Sequence, residues 1–191
     1  MNHSQNILDY WFGEIDPNTG MPKTDKSSLW FGKSQETDQY LTANYQDLLE
    51  QAKQGQLDHW LSQTDSTMAL IILLDQFSRN IYRDTPKMYE ADDKAIQIAK
   101  NSLNKDLPAI YQVFTYMPLM HSEELADQEL CVAMFQKMVN EGHSVQNNLD
   151  YAIKHRDIVA KFGRFPHRNE ILKRESTPEE IKFLKQPGSS F

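Results

Sequence analysis

The sequence predicts an all-α protein. Three observations carry that reading. Apolar residues recur at helical spacing along most of the chain, as in Leu41, Tyr45, Leu48 and Ala52. Helix starts and stops punctuate it, among them Ser34, the box Thr177-Pro178-Glu179-Glu180, and Gly55, Gly142 and Gly163. No run keeps a strand alternation for long, and no Asn-Gly or Asp-Gly hairpin pair occurs. Successive helices joined by short loops leave two architectures open, a bundle or a stack of helix pairs. No repeat of fixed length is visible, so a stack would be degenerate.

The elements follow in order. Residues 6–12 form a short helix with Ile7, Leu8, Trp11 and Phe12 on one face, stopped by Gly13. Asp16-Pro17-Asn18-Thr19-Gly20 is a turn. Leu29-Trp30-Phe31-Gly32 echoes Trp11-Phe12-Gly13, and both read as aromatic anchors. Ser34 caps a helix that Gly55 ends. Residues 57–61 add a helical turn carrying Trp60, and a polar loop at 62–66 offers Asp65 or Ser66 as the next cap.

Residues 68–83, MALIILLDQFSRNIYR, are the centre of the plan. The first half is the longest apolar run and the second turns polar at once, so the segment belongs in the middle of the fold. Thr85-Pro86 starts another helix, and Leu107-Pro108 breaks it. Residues 110–117 form an apolar helix ended by Pro118. Ser122 caps a long helix over 123–141, and Ser144 caps one that Gly163 closes. Phe165-Pro166 opens a short segment at 168–174, the Thr177 box starts the last helix, and 186–191 is a loose tail.

The 191 residues fit a single helical domain, residues 1–191. Net charge is -7, which argues against general nucleic-acid binding. The lone cysteine, Cys131, excludes an intramolecular disulfide and a cysteine zinc cluster, and reads as a buried inert thiol. The N-terminus shows no basic leader, and the run near residue 70 is too short for a membrane span. The expectation is a cytoplasmic protein with no membrane partner.

Three polar clusters stand out: Asp75-Gln76-Phe77-Ser78-Arg79-Asn80 with Arg83; Met117-Pro118-Leu119-Met120-His121-Ser122-Glu123; and His155-Arg156-Asp157 leading into Gly163-Arg164-Phe165-Pro166-His167-Arg168-Asn169. With Trp11-Phe12-Gly13, these resemble a bacterial family known as domain of unknown function 924, whose motifs run like LDQFPRNIYR, MPLMHSE and HRDIIxRFGRFPHRN. The likeness extends over residues 7–184. Ser78 stands where the family usually has proline. The resemblance implies an all-helical fold related to tetratricopeptide repeats, an array of antiparallel helix pairs with about eight to ten helices. It implies no activity.

The residues are therefore read for themselves. Asp75, Arg79 and Arg83 are spaced by four, so they share a helix face: either a salt-bridge ladder or an anion clamp of two guanidiniums. His121, Glu123, His155 and His167 are metal-binding types at the wrong spacing for a compact metal motif, so no metal or cofactor is expected. His121 can bond helix-end backbone, and His155 a carboxylate. The corner at 163–169 is either rigid architecture or one wall of a pocket. In the first case Phe165 points inward and Arg164 and Arg168 bond helix-terminal carbonyls.

No glycine phosphate loop, dinucleotide fingerprint or nucleophile elbow occurs. The expectation is a helical binding or scaffold protein. Its groove for a small anion or peptide carboxylate draws on Asp75, Gln76, Arg79, Asn80, Arg83, His121, Glu123, His155, Arg164, His167 and Arg168. One alternative is a small-molecule hydrolase with His121 or His155 as general base. Another is a structural polar network, with function elsewhere. The balance leans against an enzyme.

Overall fold

A computed structural model of the chain describes residues 3–103 and 106–190. Among these the protein is helical with no strand; Ile15 and Pro22 form an isolated antiparallel bridge. The chain divides into two compact units. The first is Met1–Arg83 with Lys87–Pro118, and the second is Asp84–Pro86 with Leu119–Phe191.

The first unit is built around the central apolar run. Helix α1 (His3–Trp11) presents Ile7, Leu8 and Trp11 inward; α2 (Ser27–Phe31) is a short aromatic turn; α3 (Gln35–Lys53) buries Leu41, Tyr45, Leu48, Leu49 and Ala52. Helix α4 (Thr64–Ile71) packs on α1 and runs into a π-helical turn, Ile72–Phe77, followed by α5 (Ser78–Ile81). Every residue from Thr67 to Ser78 is buried, as expected of a segment apolar on all sides. The aromatic anchors converge. Trp11 meets Phe77 at 5.5 Å and Phe114 at 5.9 Å, while Trp30 meets Phe114 at 5.0 Å. Helices α6 (Asp92–Lys100) and α7 (Ala109–His121) complete the set, α7 continuing into the second unit.

The turn at 16–20 forms as expected, with the Asp16 carboxylate accepting from Asn18 N at 2.7 Å. Gly20 is required there. Its φ is +66°, a Cβ would sit 2.6 Å from Ala109 N, and its carbonyl accepts from Ile110 N at 2.9 Å.

Four local expectations are corrected. The central helix starts at Thr64, after Gln63, with no side-chain cap; instead Ser66 and Thr67 donate back to the Trp60 and Gln63 carbonyls. The Thr85-Pro86 start yields a 3-10 turn, Pro86–Tyr89, separate from α6. Pro118 lies inside α7 instead of ending it. That proline forfeits one helical hydrogen bond, but its neighbours Met117, Leu119 and Met120 are buried, and apolar packing holds the helix together. Ser144 does not cap; α9 (Gln146–Phe162) follows Val145.

In the second unit, α8 (Leu125–Asn140) and α9 pack closely, joined by a turn at Gly142. Phe135, Met138, Leu149, Ala152 and Val159 are buried. Cys131 is buried too, and burial pushes its thiol pKa up. Gly163 ends α9 at φ +69°, its N–H donating to the Val159 carbonyl at 2.7 Å. Helix α10 (Pro178–Leu184) opens with the expected capping box, Thr177 and Glu180 each satisfying the other's backbone N–H. After α10 the chain turns back, with the buried Ser189 donating to the Leu184 carbonyl; Phe191 lies outside the described residues.

Candidate functional site

The sequence-chosen residues fall into both units. Asp75, Gln76, Arg79, Asn80 and Arg83 belong to the first; His121, Glu123, His155, Arg164, His167 and Arg168 belong to the second.

In the first unit the π-turn disturbs the spacing on which the ladder was drawn. A π-turn inserts an extra residue into the helix, so positions four apart across it no longer stack. Arg79 lies 3.9 Å from Asp75, at the limit of an ion pair, and 2.8 Å from Asp92 at the start of α6. It also donates to the Met88 carbonyl and lies over the Tyr89 ring. Burial opposes its charge, but Asp92 and then Asp75 raise its pKa above the ordinary arginine value. Arg83 reaches Asp38 on α3 through two bonds, 2.6 and 2.9 Å, and also donates to the Asn80 amide oxygen. Gln76 donates to Asp75 at 2.6 Å, and Asn80 donates to the Gln76 carbonyl. The two guanidiniums thus face different helices, each toward a carboxylate that no local sequence signal had linked to it.

In the second unit the corner after Gly163 is dense with polar contacts. Arg164 grips Glu180 through a fork at 2.7 and 2.8 Å and donates to the Glu175 carbonyl. This corrects its expected role of bonding a helix-terminal carbonyl; the attraction of a nearby carboxylate exceeds that of a carbonyl. The Arg164 contact is the main reason the Glu180 carboxyl falls to about 2; the N–H of Thr177 and Asn169 help. Arg168 does take the expected role. It donates to the carbonyl of His121, the last residue of α7, at 2.9 Å, and its guanidinium lies 4.5 Å from the centroid of Phe165.

Ser122 and Glu123 also depart from expectation. Helix α8 begins at Leu125, so Ser122 acts three residues ahead of its first residue, accepting from Glu124 N and donating to Asp127. Glu123 is therefore free of any helix-start role. Its carboxylate accepts from Phe165 N at 2.8 Å and from both ends of the Arg174 guanidinium at 2.6 and 2.9 Å. Burial raises its pKa, but Arg174 and the Phe165 N–H bring it below the ordinary value. Gln128, a residue no motif had flagged, donates to the carbonyls of Met120 and Ser122 at 2.7 and 2.6 Å, satisfying the end of α7.

The histidines are dry. His155 is buried and pairs through Nδ1 with the Tyr151 carbonyl at 2.8 Å, where a carboxylate partner was expected; burial lowers its pKa to about 3. Burial, and then Arg168, lower His167 to about 4. Both rings pack on Phe165, at 5.6 and 5.5 Å. Both imidazoles are therefore neutral near pH 7. Among the described residues, no three His, Cys, Asp or Glu side chains are grouped to hold a metal.

Residues 7–188 match a family described as bacterial protein of unknown function, domain of unknown function 924. The chain belongs to that family. A solved structure of a protein of unknown function from Agrobacterium tumefaciens is similar to it: identity is 35%, the TM-score is 0.79, and 95% of this chain and 96% of that chain are covered. No curated protein gave a match. Family and neighbour agree that the fold is shared nearly end to end, and neither brings an activity. Ser78 closes the π-turn, and its hydroxyl donates to the Asp75 carbonyl at 3.1 Å.

Proposed function

We propose that this protein is a non-catalytic helical binder, and that its motif arginines and carboxylates are internal ties, not the receptor. One observation carries the reading. The guanidiniums of Arg79, Arg83, Arg164 and Arg174 each lie against an internal carboxylate: Asp92, Asp38, Glu180 and Glu123. At Arg83, Arg164 and Arg174 an incoming anion would have to displace a carboxylate held by fork-shaped bonds and tethered by the chain, while at Arg79 it would meet Asp92 at 2.8 Å and the Met88 carbonyl. His155 as the general base of a hydrolase is disfavoured, since it is buried against the Tyr151 carbonyl and, at a pKa of about 3, is poorly matched to base catalysis near neutral pH. The tetratricopeptide-like stacking of helix pairs belongs to this proposal, supported by the α8–α9 hairpin. A cytoplasmic location does too, supported by a single buried free thiol.

A second reading has its own support. Arg168 is 7% exposed, stacked on Phe165 and flanked by two neutral imidazoles, a setting in which a small carboxylate would be bound strongly if it could enter.

Thermal unfolding in inorganic phosphate or acetate, against potassium chloride of equal ionic strength, tests the choice. The ties predict no saturable anion effect, and a loss of about 1–3 kcal/mol for Arg83→Ala, from the orphaned Asp38. A saturable stabilisation that vanishes in Arg79→Ala would restore the anion groove in the first unit; one that vanishes only in Arg168→Ala would place it in the second.

A further inference from the structure

The first unit contains a polar cleft that none of the three motifs touches. Its volume is about 390 Å³, near the lower end of the range for small-molecule sites. One side is the outer face of α3, where Asn44, Asp47 and Gln51 stand at positions i, i+3 and i+7 and so form one stripe. Opposite are His59 and Trp60, from the 3-10 turn Asp58–Ser62. Leu48 and Leu57, both buried, also line the cleft, and Ser4 of α1 adds a hydroxyl.

The lining selects a class of ligand. It holds no lysine or arginine, its basic groups being the imidazoles of His3 and His59, and the protein carries a net charge of -7, so an anion is poorly served there. Its lone carboxylate, Asp47, is a weak counter-charge for a cation but a good acceptor for hydroxyl donors. Asn44 and Gln51 each supply both a donor and an acceptor; part of the Asn44 amide is already committed to the Tyr40 carbonyl at 2.8 Å. The indole of Trp60 offers a flat apolar surface between them. Amides, a carboxylate and an aromatic plate around a pocket of this size suit a polyol with one apolar face.

The backbone of the turn that carries Trp60 is also fixed in advance. The Trp60 carbonyl accepts from Ser66 at 2.6 Å and from Thr67 at 3.3 Å. Lys94 ties the turn down, donating to Asp58 at 2.6 Å and to the Ala52 carbonyl at 2.8 Å. Little ordering remains to be done when a ligand arrives.

We infer that this cleft is a binding site for a neutral mono- or disaccharide, with Trp60 stacking against the sugar ring and Asn44, Asp47 and Gln51 bonding its hydroxyls. The inference rests on the reading of the protein as a binder, and it does not depend on whether the arginines are ties.

The test is nuclear magnetic resonance on ¹⁵N-labelled full-length protein, titrated separately with glucose, N-acetylglucosamine and maltose to about 50 mM, a range that captures millimolar affinities. Spermidine and inorganic phosphate serve as charged probes. The expected result is saturable movement of the Trp60 indole N–H and of backbone signals at 44–51 with at least one sugar. It should be lost in Trp60→Ala and largely kept in Trp60→Phe. Neither variant removes the carbonyl that Ser66 and Thr67 use, so both should fold. Sugar-independent spectra at these positions overturn the saccharide site, as does a cleft that answers to spermidine alone. Saturable phosphate shifts around residues 75–83 would overturn the internal-tie reading and leave the saccharide site standing.

Discussion

The two units use the same ion-pair chemistry for different ends. In the first, arginines on the central helix reach acids on other helices, Asp38 on α3 and Asp92 on α6. Those contacts sit around a core of aromatic rings that would hold without them, with Phe77 touching Trp11 and Tyr45 at 5.5 and 5.0 Å. In the second, the same groups satisfy backbone atoms of an irregular corner. Glu123 takes the Phe165 N–H, Arg174 the Phe165 carbonyl, Arg168 the His121 carbonyl and Arg164 the Glu175 carbonyl. The corner's own turns carry backbone bonds of their own, but the Phe165 N–H is met by a side chain, and a buried unpaired N–H or C=O is costly. Charge therefore decorates one core and builds the other. In the second unit Phe165 clusters with Ile158 and Val159, with Phe162 and Phe183 packed alongside, and its ring also meets His155, His167 and Arg168.

The largest expected effect comes from cutting each core at its aromatic. Phe77→Ala and Phe165→Ala should each cost about 3–5 kcal/mol, the usual range for a fully buried phenylalanine. They should differ in what else moves. Phe165→Ala opens space that water can enter beside His155 and His167, so both should titrate closer to an ordinary histidine. Phe77→Ala should leave those titrations alone. Histidine ring signals followed against pH, with Phe165→Leu as the milder variant, check this. Unchanged histidine titration in both Phe165 variants would mean that the ring does not keep the imidazoles dry, and the contrast between the cores would fail.

Acid should also separate the units. Above about pH 6.5, His155 and His167 are neutral folded or unfolded and contribute no pH dependence. Below it the unfolded chain takes up protons, while the folded protein refuses them until about pH 4 for His167 and about 3 for His155. Stability present at pH 7 is therefore lost on acidification. By pH 5 the loss should reach about 2 kcal/mol for each residue. Glu180 has a lower window: its contribution persists above its ordinary range near 4.3 and disappears as pH falls toward about 2. Urea midpoints at pH 7 and 5 measure the first effect, and His155→Gln or His167→Gln should each remove its share. In the first unit His3 and His59 are both exposed.

The same contrast explains what could be read in the sequence. Helix positions were legible because they follow from local periodicity and end signals: the α3 face, the Gly163 stop and the Thr177 box all form as written. The buried central run was legible because no surface helix is apolar on every side. The partners were not. Nothing near Arg79 or Arg83 points to Asp92 or Asp38, and nothing near Glu123 points to Arg174, because these pairs are made by the fold across 13 to 51 residues of chain. Ser122 and Ser144 carry a capping residue's chemistry, yet the helices start elsewhere, since burial of α8 and α9 outweighs a cap worth about 1 kcal/mol. The cleft beside Trp60 left no sequence signal, because its residues come from three separate elements and match no motif.

The smallest expected effect concerns the joint between the apolar and polar halves of the central segment. Ser78 follows the π-turn, with φ at -55°, close to the angle a proline ring imposes. Its N–H lies at the last π-type bond, five residues on from Leu73, and its hydroxyl donates to the Asp75 carbonyl at 3.1 Å. Proline there would sacrifice that backbone bond and one buried hydroxyl bond, against a gain of about 0.4–1 kcal/mol from restricting the unfolded chain. Against that stands Phe77, helical at φ -66° and ψ -32°, a conformation the residue before proline disfavours. The losses outweigh the gain, so Ser78→Pro should cost about 1–2 kcal/mol, whereas Pro at Leu70 in the regular helix should cost about 3 kcal/mol or more. Urea denaturation of the two variants decides it. A Ser78→Pro penalty as large as that of Leu70→Pro would mean that the end of the π-turn tolerates proline no better than the regular helix does.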